Sequence, residues 1–379
     1  MSMPLLFSPI SLREVTLRNR VVISPMCQYS ARDGMPDDWH FAHLAKFAMG
    51  GAGLVFTEAS AVVPDGRITH GDTGIWNGEQ AEGWARIVRF LQTEGAKTGI
   101  QVAHAGRKAA MQRPWHGNGP PDETDLARGE RPWRIVSASP EPVTEGWLMP
   151  DALEAGEIVE ITQAFADAAA RAHQAGFDVL EIHGAHGYLL HQFLSPLSNH
   201  RTDEYGGSFD NRVRFALDTA RAVRAVWPEH KPLFFRTSSV DGFEGGWDIS
   251  DTVELASRLK AEGVDVIDCS SGGHSPKGAT NANVARGLGF QVAFAEQVKR
   301  EANILTQAVG LILNGPQAEE VLQSGSADLI AIAREALQNP FWVLHERQAM
   351  GVDENYADWP VQYQWWLQRR SHSMKKLGL

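Results

Sequence analysis

Three side chains that can bind or protonate a small molecule follow one apolar run of the chain. Residues 178–182 predict a buried strand, and His183, His186 and Tyr188 come directly after it. Two glycines separate these side chains and allow a sharp turn close to a ligand. If the segment is extended, His186 and Tyr188 point the same way, because successive side chains alternate between faces. The spacing therefore predicts a polar cluster at the end of a strand.

Three interpretations of this cluster are open. The His-x-x-His spacing of His183 and His186 is compatible with zinc, but no nearby Asp, Glu or Cys is an obvious third ligand. Alternatively, the two imidazoles donate hydrogen bonds to one oxygen while the phenol of Tyr188 supplies a proton. A lone histidine is most simply a satisfied residue of a barrel interior. Three such groups at one strand end favour the oxygen-binding site.

Composition restricts the partners of the protein. The chain has 379 residues and a formal net charge of -11. This acidic balance argues against a nucleic acid or an anionic membrane as partner, since both require basic surfaces. Cys27 and Cys269 are too few for a disulfide framework, a four-thiolate zinc site or an iron-sulfur cluster. No secretory signal or membrane span is recognisable, so we expect a cytoplasmic protein.

Short apolar runs alternate with longer amphipathic, alanine-rich segments, a rhythm typical of repeated β-α units. Eight runs are predicted to be strands, at residues 21–24, 54–58, 99–103, 178–182, 233–237, 264–269, 304–308 and 328–333. Eight such units close a (β/α)8 TIM barrel, whose active site lies at the carboxyl ends of the strands. A doubly wound sheet is the alternative, but no glycine-rich nucleotide fingerprint follows the first strand. We therefore expect residues 1–379 to form a single barrel domain.

Two segments interrupt this rhythm. After the third strand, residues 107–147 form an irregular insertion that either caps the mouth of the barrel or is disordered, and Trp115 and Trp133 favour a packed cap. Residues 351–379 form an aromatic C-terminal tail with the pair Trp365-Trp366. Such a tail packs against its own barrel or docks on a neighbouring subunit.

The first strand ends in a segment that can face a flat ligand. It reads Ser24-Pro25-Met26-Cys27, and Pro25 lacks the amide hydrogen that would continue a ladder. Cys27 is either a small buried hydrophobe or, beside Tyr29, a redox-tuning or substrate-facing thiol.

Other strands carry polar groups as well. Gln101 lies in the third apolar run, where its amide meets barrel neighbours or the edge of a heterocycle. Arg236 lies in the fifth run, and a buried cation there requires an anion or a π-system. Small residues end the last two strands and Arg334 follows, which suits a phosphate held by backbone amides.

Several motifs together resemble the Old Yellow Enzyme family of FMN-dependent ene-reductases, in the branch of bacterial xenobiotic reductases and thermophilic-type enzymes. They are SPMCQY, EASAVVPDGRIT, GIQVAHAGRK, EIHGAHGYLLHQFLSPLSNHRTDEYGGSFDNR and the Arg of AIAREAL. Two positions depart from the family pattern. The family often has Gly-Arg where this chain has Ala333-Arg334, and related tails carry an Arg or one Trp in place of Trp365-Trp366.

The resemblance implies a barrel with FMN lying across the carboxyl ends of the strands. The implied FMN-binding residues are Ser24, Pro25, Met26, Cys27, Ala59, Gln101, Arg236, Gly310, Ala333 and Arg334. The implied substrate-binding residues are Tyr29, His183 and His186, and the implied proton donor is Tyr188. NADPH or NADH would supply the hydride that reduces the activated C=C bond of an enone, or a nitro compound, in a ping-pong scheme.

The resemblance also implies a homodimer or homotetramer in which the C-terminal tail lies near a neighbouring active site. Three other functions stay open at this point. They are an FMN-barrel dienoyl-thioester reductase, a metal-dependent barrel hydrolase that uses His183 and His186, and a flavin-binding module without turnover.

Overall fold

The computed structural model describes residues 3–274 and 283–378. Strands in this part of the chain are β1 Ile10–Leu12, β2 Val15–Leu17, β3 Val21–Ile23, β4 Leu54–Ala61, β5 Lys97–Ala103, β6 Val136–Ser137, β7 Asp151–Ala152, β8 Val179–Gly184, β9 Leu233–Ser238, β10 Val266–Ser270, β11 Leu305–Val309 and β12 Leu329–Ile332. The α-helices are α1 Asp38–Met49, α2 Gly78–Thr93, α3 Glu123–Ala127, α4 Ala155–Gln174, α5 Leu189–Leu194, α6 Phe209–Val226, α7 Ile249–Ala261, α8 Val292–Ala302, α9 Gly315–Gln323, α10 Arg334–Gln338, α11 Trp342–Ala349 and α12 Val361–Lys376.

Eight parallel strands close the barrel in the order β10, β11, β12, β3, β4, β5, β8, β9. Each predicted strand overlaps one of them, so the predicted (β/α)8 barrel is confirmed. The register between β4 and β5 shifts between Phe56 and Ala59, which marks a bulge. Bulges re-aim side chains near active sites, and this one lies beside Glu58 at the carboxyl half of β4.

The amino-terminal end of the barrel is closed by a hairpin. Strands β1 and β2 pair antiparallel, and their residues Leu12, Val15 and Leu17 are buried against apolar side chains of the barrel interior. The hairpin excludes water from that end. The carboxyl end is therefore the open end of the barrel.

The helices that alternate with the barrel strands pack on the outside of the barrel through an apolar face. In α4, Ile158, Ile161 and Phe165 are buried, while Val159 on the opposite face is 61% exposed. Spacings of three and four residues place the buried side chains on one stripe, as an amphipathic helix requires. Asp37 caps the amino-terminal end of helix α1, and its carboxylate accepts hydrogen bonds from two free amides of the first turn.

The insertion after β5 consists of short elements around a small apolar cluster. Its members are Ile68, Ala105, Ala109, Ala110 and Ile135, and the half-buried side chains of Cys27, Met111, Trp133, Leu148 and Tyr188 pack against it. Trp133 also donates a hydrogen bond from Nε1 to the carbonyl of Asp65, whereas Trp115 is 60% exposed. The insertion thus reaches side chains at the mouth of the barrel, and its role as a cap stays a prediction.

The tail contains α12, a helix with no buried residue. Trp365 is 50% and Trp366 is 67% exposed. No helix among the described residues combines the length and the apolar character that crossing a membrane requires.

Candidate functional site

A cavity of about 360 Å³ opens at the carboxyl ends of the strands. Most of the predicted site residues line it together: Ser24, Pro25, Cys27, Ala59, Gln101, His183, His186, Tyr188, Arg236, Gly310, Ala333 and Arg334. Met26 and Tyr29 do not belong to this lining. Met26 packs against the main core, and the Tyr29 ring makes an edge contact with Trp115.

Five further residues line the cavity and were not predicted. They are Ser270, Arg286, Phe290, Gln291 and Val309. Ser270 and Val309 each directly follow a predicted strand, so their positions carried a usable signal. Arg286, Phe290 and Gln291 precede helix α8, and no local pattern indicates that they reach the cavity.

The segment at His186 and Gly187 is not extended, so the alternation of side chains between two faces does not apply to it. His186 has a φ of 59°, in the left-handed region, and Gly187 follows with a φ of 71°. The His186 amide donates to Ser238 Oγ at 2.9 Å, and the Ser238 hydroxyl donates to the carbonyl of Gly272 at 2.6 Å. A turn therefore presents the three polar rings, and strand β9 holds its backbone.

Three more side chains hold the same turn, two of them at Gly187. Its amide donates to His191 Nδ1 at 2.8 Å, and its carbonyl accepts from Gln192 Nε2 at 2.7 Å. Lys108 Nζ donates to the carbonyls of His186 and Gly273 at 2.8 and 2.5 Å. A Cβ on Gly187 would lie 2.1 Å from the Gly273 carbonyl oxygen, so only glycine permits this approach.

The rings of the turn lie within contact of one another. The His183 ring centroid is 5.2 Å from that of His186 and 4.9 Å from that of Tyr188. His183 Nδ1 accepts the Ala185 amide at 3.2 Å, so the ring proton is on Nε2. His186 Nε2 lies 2.7 Å from Ser270 Oγ, and this hydroxyl sets the orientation of the second ring.

Burial sets the protonation states of these groups. Desolvation, with a smaller contribution from Arg236, lowers the pKa of His183 and His186 well below the ordinary value of 6.5. Both rings are thus neutral hydrogen-bonding groups at neutral pH. Burial and the nearby Cys27 raise the pKa of Tyr188 well above 10, so the phenol keeps its proton. Burial likewise raises the pKa of the Cys27 thiol, which stays protonated.

A buried charge cluster lies below the rings inside the barrel. Arg236 Nε is 3.4 Å from Asp268 Oδ2, and Gln101 Nε2 donates to Glu181 Oε1 at 2.7 Å. Burial and the neighbouring Asp268 raise the pKa of Glu181 well above 4.5, which favours its neutral acid form. Burial also raises the pKa of Asp268, and the nearby Arg236 opposes that rise.

The charged side chains in the lining of the cavity are cationic. They are Arg236, Arg286 and Arg334, and no carboxylate lines the cavity within the described part of the chain. The hydroxyl of Ser24 is buried without a hydrogen-bond partner among the described residues. Gly310 has a φ of 121°, and a Cβ there would lie 2.9 Å from Gln291 Nε2 and from the Phe290 ring. The residues therefore fit a large anionic ligand, one end of which contacts the backbone at Gly310.

A second histidine cluster lies behind the turn. His191 Nε2 and His274 Nε2 lie 3.0 and 3.4 Å from Asp241 Oδ1. The Nδ1 atoms accept from the Gly187 amide and from Arg107 Nη2, so both Nε2 atoms carry protons. Neither Nε2 forms a hydrogen bond to the carboxylate, and His191 supports the turn through its Nδ1.

Comparison with known proteins gives consistent matches over most of the chain. Residues 5–351 match the model of the FMN oxidoreductase family described as NADH:flavin oxidoreductase / NADH oxidase. An NADPH dehydrogenase of Bacillus subtilis (strain 168) is 44% identical over 95% of this chain and 98% of its own length. An NADPH dehydrogenase of Bacillus pumilus (strain SAFR-032) is 47% identical over 89% of this chain and 92% of its own.

Solved structures agree with this match. Morphinone reductase in complex with tetrahydroNAD has a TM-score of 0.73 at 26% identity, with 92% of each chain covered. The 2-naphthoyl-CoA reductase complex shares the fold, with a TM-score of 0.79 at 23% identity, over 93% of this chain and 53% of that chain.

The barrel and its cavity define an oxidoreductase built on a (β/α)8 barrel. The chain belongs to the NADH:flavin oxidoreductase / NADH oxidase family. The resemblance to the Old Yellow Enzyme family is confirmed, and so is the prediction of FMN as cofactor with a nicotinamide as reductant.

We expect the rings of His183 and His186 to stay neutral when the pH is lowered from about 8 to about 5, the range in which an ordinary histidine gains a proton. Their pKa values are lowered in the folded state, so protons enter the unfolded chain first and stability falls as pH drops below about 6.5. The protonation of each ring is measured from its ring-nitrogen chemical shifts, which are assigned with the variants His183→Asn and His186→Asn. A ring that titrates near its ordinary pKa contradicts the assignment.

Proposed function

We propose that this flavin oxidoreductase reduces the activated C=C bond of α,β-unsaturated carbonyl compounds, and of related nitro compounds, in a ping-pong reaction. The observation that carries the proposal is the set of rings at the end of β8. Two neutral imidazoles and one protonated phenol share a cavity wall. The imidazoles suit a polarised oxygen, and the phenol suits a carbon that needs a proton.

The cavity residues suggest how FMN is held. Ser24, Pro25 and Ala59 would line the ring, and the unpartnered Ser24 hydroxyl offers it a hydrogen bond. Gln101 and Arg236 would contact the polar edge, where the fixed cation favours negative charge. The phosphate would lie at the bare backbone of Gly310 and Ala333, close to Arg334. Bound FMN supplies hydride transfer from the nicotinamide to the alkene β-carbon, which no side chain can perform.

The protein groups perform the remaining steps. His183 donates from Nε2 to the substrate oxygen, and His186, oriented by Ser270, provides the second contact. These bonds withdraw electrons from the alkene and hold its plane above the barrel. Tyr188 then gives its proton to the α-carbon, so that a C–H bond forms as the phenolic O–H bond breaks. Tyr29, beyond the cavity lining, would contact the far end of a longer substrate.

The relatives support NADPH as the reductant, since several of them are named NADPH dehydrogenase. The complex of morphinone reductase with tetrahydroNAD supports entry of a nicotinamide into a barrel of this type. One cavity then serves reductant and substrate in turn, which is the basis of the ping-pong proposal.

The FMN-loaded protein should lose its yellow colour when it is titrated anaerobically with NADPH, and cyclohexenone should restore it with formation of cyclohexanone. The redox change of the bound flavin is followed by visible absorbance, and the product by chromatography. Bleaching that oxygen reverses but cyclohexenone does not would contradict ene-reduction. A flavin that NADPH cannot bleach would point to a binding module without turnover.

Tyr188→Phe should slow protonation of the α-carbon by roughly 10²-fold or more, the contribution of a well-placed general acid. Bleaching by NADPH should change little, because that step needs no proton from Tyr188. Stopped-flow absorbance separates the two half-reactions. Tyr205→Phe is a matched control, since Tyr205 is buried outside the cavity. Equal slowing of both half-reactions in Tyr188→Phe would argue against an acid role.

We also propose that the exposed aromatic face of α12 docks on a second copy of the chain, near its cavity. The double variant Trp365→Ala/Trp366→Ala should reduce the mass in sedimentation velocity from a dimer or tetramer to a smaller species, because large apolar side chains anchor interfaces. Val159→Ala, at an exposed site on α4, should leave the mass unchanged. The proposal fails if the unmodified protein is monomeric or if the double variant keeps its mass.

A further inference from the structure

The mechanism leaves one buried acid beside the proton donor without a role. Asp72 lies in the loop between β4 and α2 and is 3% exposed. Its Oδ2 accepts the Ile68 amide at 2.7 Å, and its Oδ1 accepts the Thr69 hydroxyl at 2.8 Å. Two donors to one buried carboxyl hold it in a single orientation. No basic side chain forms an ion pair with Asp72 in the part of the chain that the structure describes.

A small cavity connects Asp72 with Tyr188. Its volume is about 10 Å³, and Asp72 and Tyr188 are the polar side chains in its wall. The rest of the wall is formed by Ala59, Ala61, Gly66, Ile68, Ala103 and Ala105. A space of this size accommodates about one water molecule, which requires at least two polar partners. The carboxyl and the phenol are two such partners.

The surroundings keep a proton available on Asp72. Burial raises its pKa to about 7, and the hydrogen bonds from Thr69 and Ile68 oppose this rise only in part. A substantial fraction of Asp72 is therefore the neutral acid at neutral pH. Titratable or charged groups that interact with it are Glu58, Cys27, Tyr29, Tyr188 and Arg67.

The proposed function creates a need for such an acid. After each turnover Tyr188 is a buried tyrosinate, and burial makes this anion costly. Lys108 lies on another side of the ring, with its Nζ 5.8 Å from the ring centroid. It already donates to two backbone carbonyls.

We propose that the carboxylic acid of Asp72 reprotonates Tyr188 through one water molecule in the small cavity. The Asp72 O–H bond breaks, the water accepts this proton and passes another to the phenolate oxygen, and Asp72 regains a proton from solvent. These steps are proton transfers and involve no oxidation or reduction. The proposal rests on the role of Tyr188 in the proposed function and adds the source of its proton.

The test compares first and later turnovers of the FMN-loaded enzyme with NADPH and cyclohexenone. In Asp72→Asn the first turnover should proceed at the normal rate, because Tyr188 starts protonated. Later turnovers should slow by roughly 10²-fold. A tyrosinate absorbance in the near ultraviolet should accumulate. In the unmodified enzyme kcat should fall as pH rises through about 7, the pKa of Asp72, and this limb should be lost in the variant.

Two further variants separate the relay from loop structure. Thr69→Val removes one hydrogen bond to the carboxyl but keeps the acid, so it should show no tyrosinate band. Ala103→Val fills the small cavity from β5 and should reproduce the Asp72→Asn split between first and later turnovers.

Three results would overturn the relay. The first is an unchanged rate of later turnovers in Asp72→Asn, and the second is equal slowing of first and later turnovers in both Asp72→Asn and Thr69→Val. The third is a fall of kcat above a pH of about 7 that persists in Asp72→Asn, a result that would point to Lys108 as the proton source. Failure of the proposed function can be distinguished from failure of the relay. If the proposed function is wrong, Tyr188→Phe protonates the α-carbon at the normal rate, whatever the turnover rates of Asp72→Asn.

Discussion

The hydrogen-bonded turn at His186 and Gly187 is the constraint on which the site depends. A non-glycine residue in the left-handed region costs about 1–3 kcal/mol. Each hydrogen bond to the turn returns roughly 0.5–1.5 kcal/mol, and together they offset that cost. The partners are Ser238 on β9, Lys108 after β5 and Gln192 on α5. Because they come from separate parts of the chain, the turn is held only when the barrel is closed.

Burial in that closed barrel also divides the chemistry among the side chains. Desolvation disfavours every charged form, so His183 and His186 are neutral rings with one proton each while Tyr188 keeps its phenolic proton. The rings then bind an oxygen without competing as acids. Below them, Arg236 Nε lies 3.4 Å from Asp268 Oδ2 on the adjacent strand. Burial therefore separates the hydrogen-bonding rings from the proton donor.

The strands and most of the cavity lining were predictable from sequence because their signals are local. Apolar runs with polar ends mark barrel strands, and parallel strands bring those ends to one edge. Ser24 and Gly310 were placed in this way although nearly 300 residues separate them. The departure at Ala333 does not remove it from the cavity. The left-handed turn at His186 could not be predicted from the local pattern, because a tertiary hydrogen bond to Ser238 holds its backbone.

The sequence by itself determined the barrel, the family and the residue types at the strand ends, since periodicity and short motifs are written in consecutive residues. Tertiary structure alone decided which groups share a wall and which protonation state each one holds. Asp72 illustrates the difference: nothing near it in the chain indicates a partner, yet folding buries it across a small cavity from Tyr188. Desolvation and distance depend on all the elements around a group, and no local stretch of sequence contains that information.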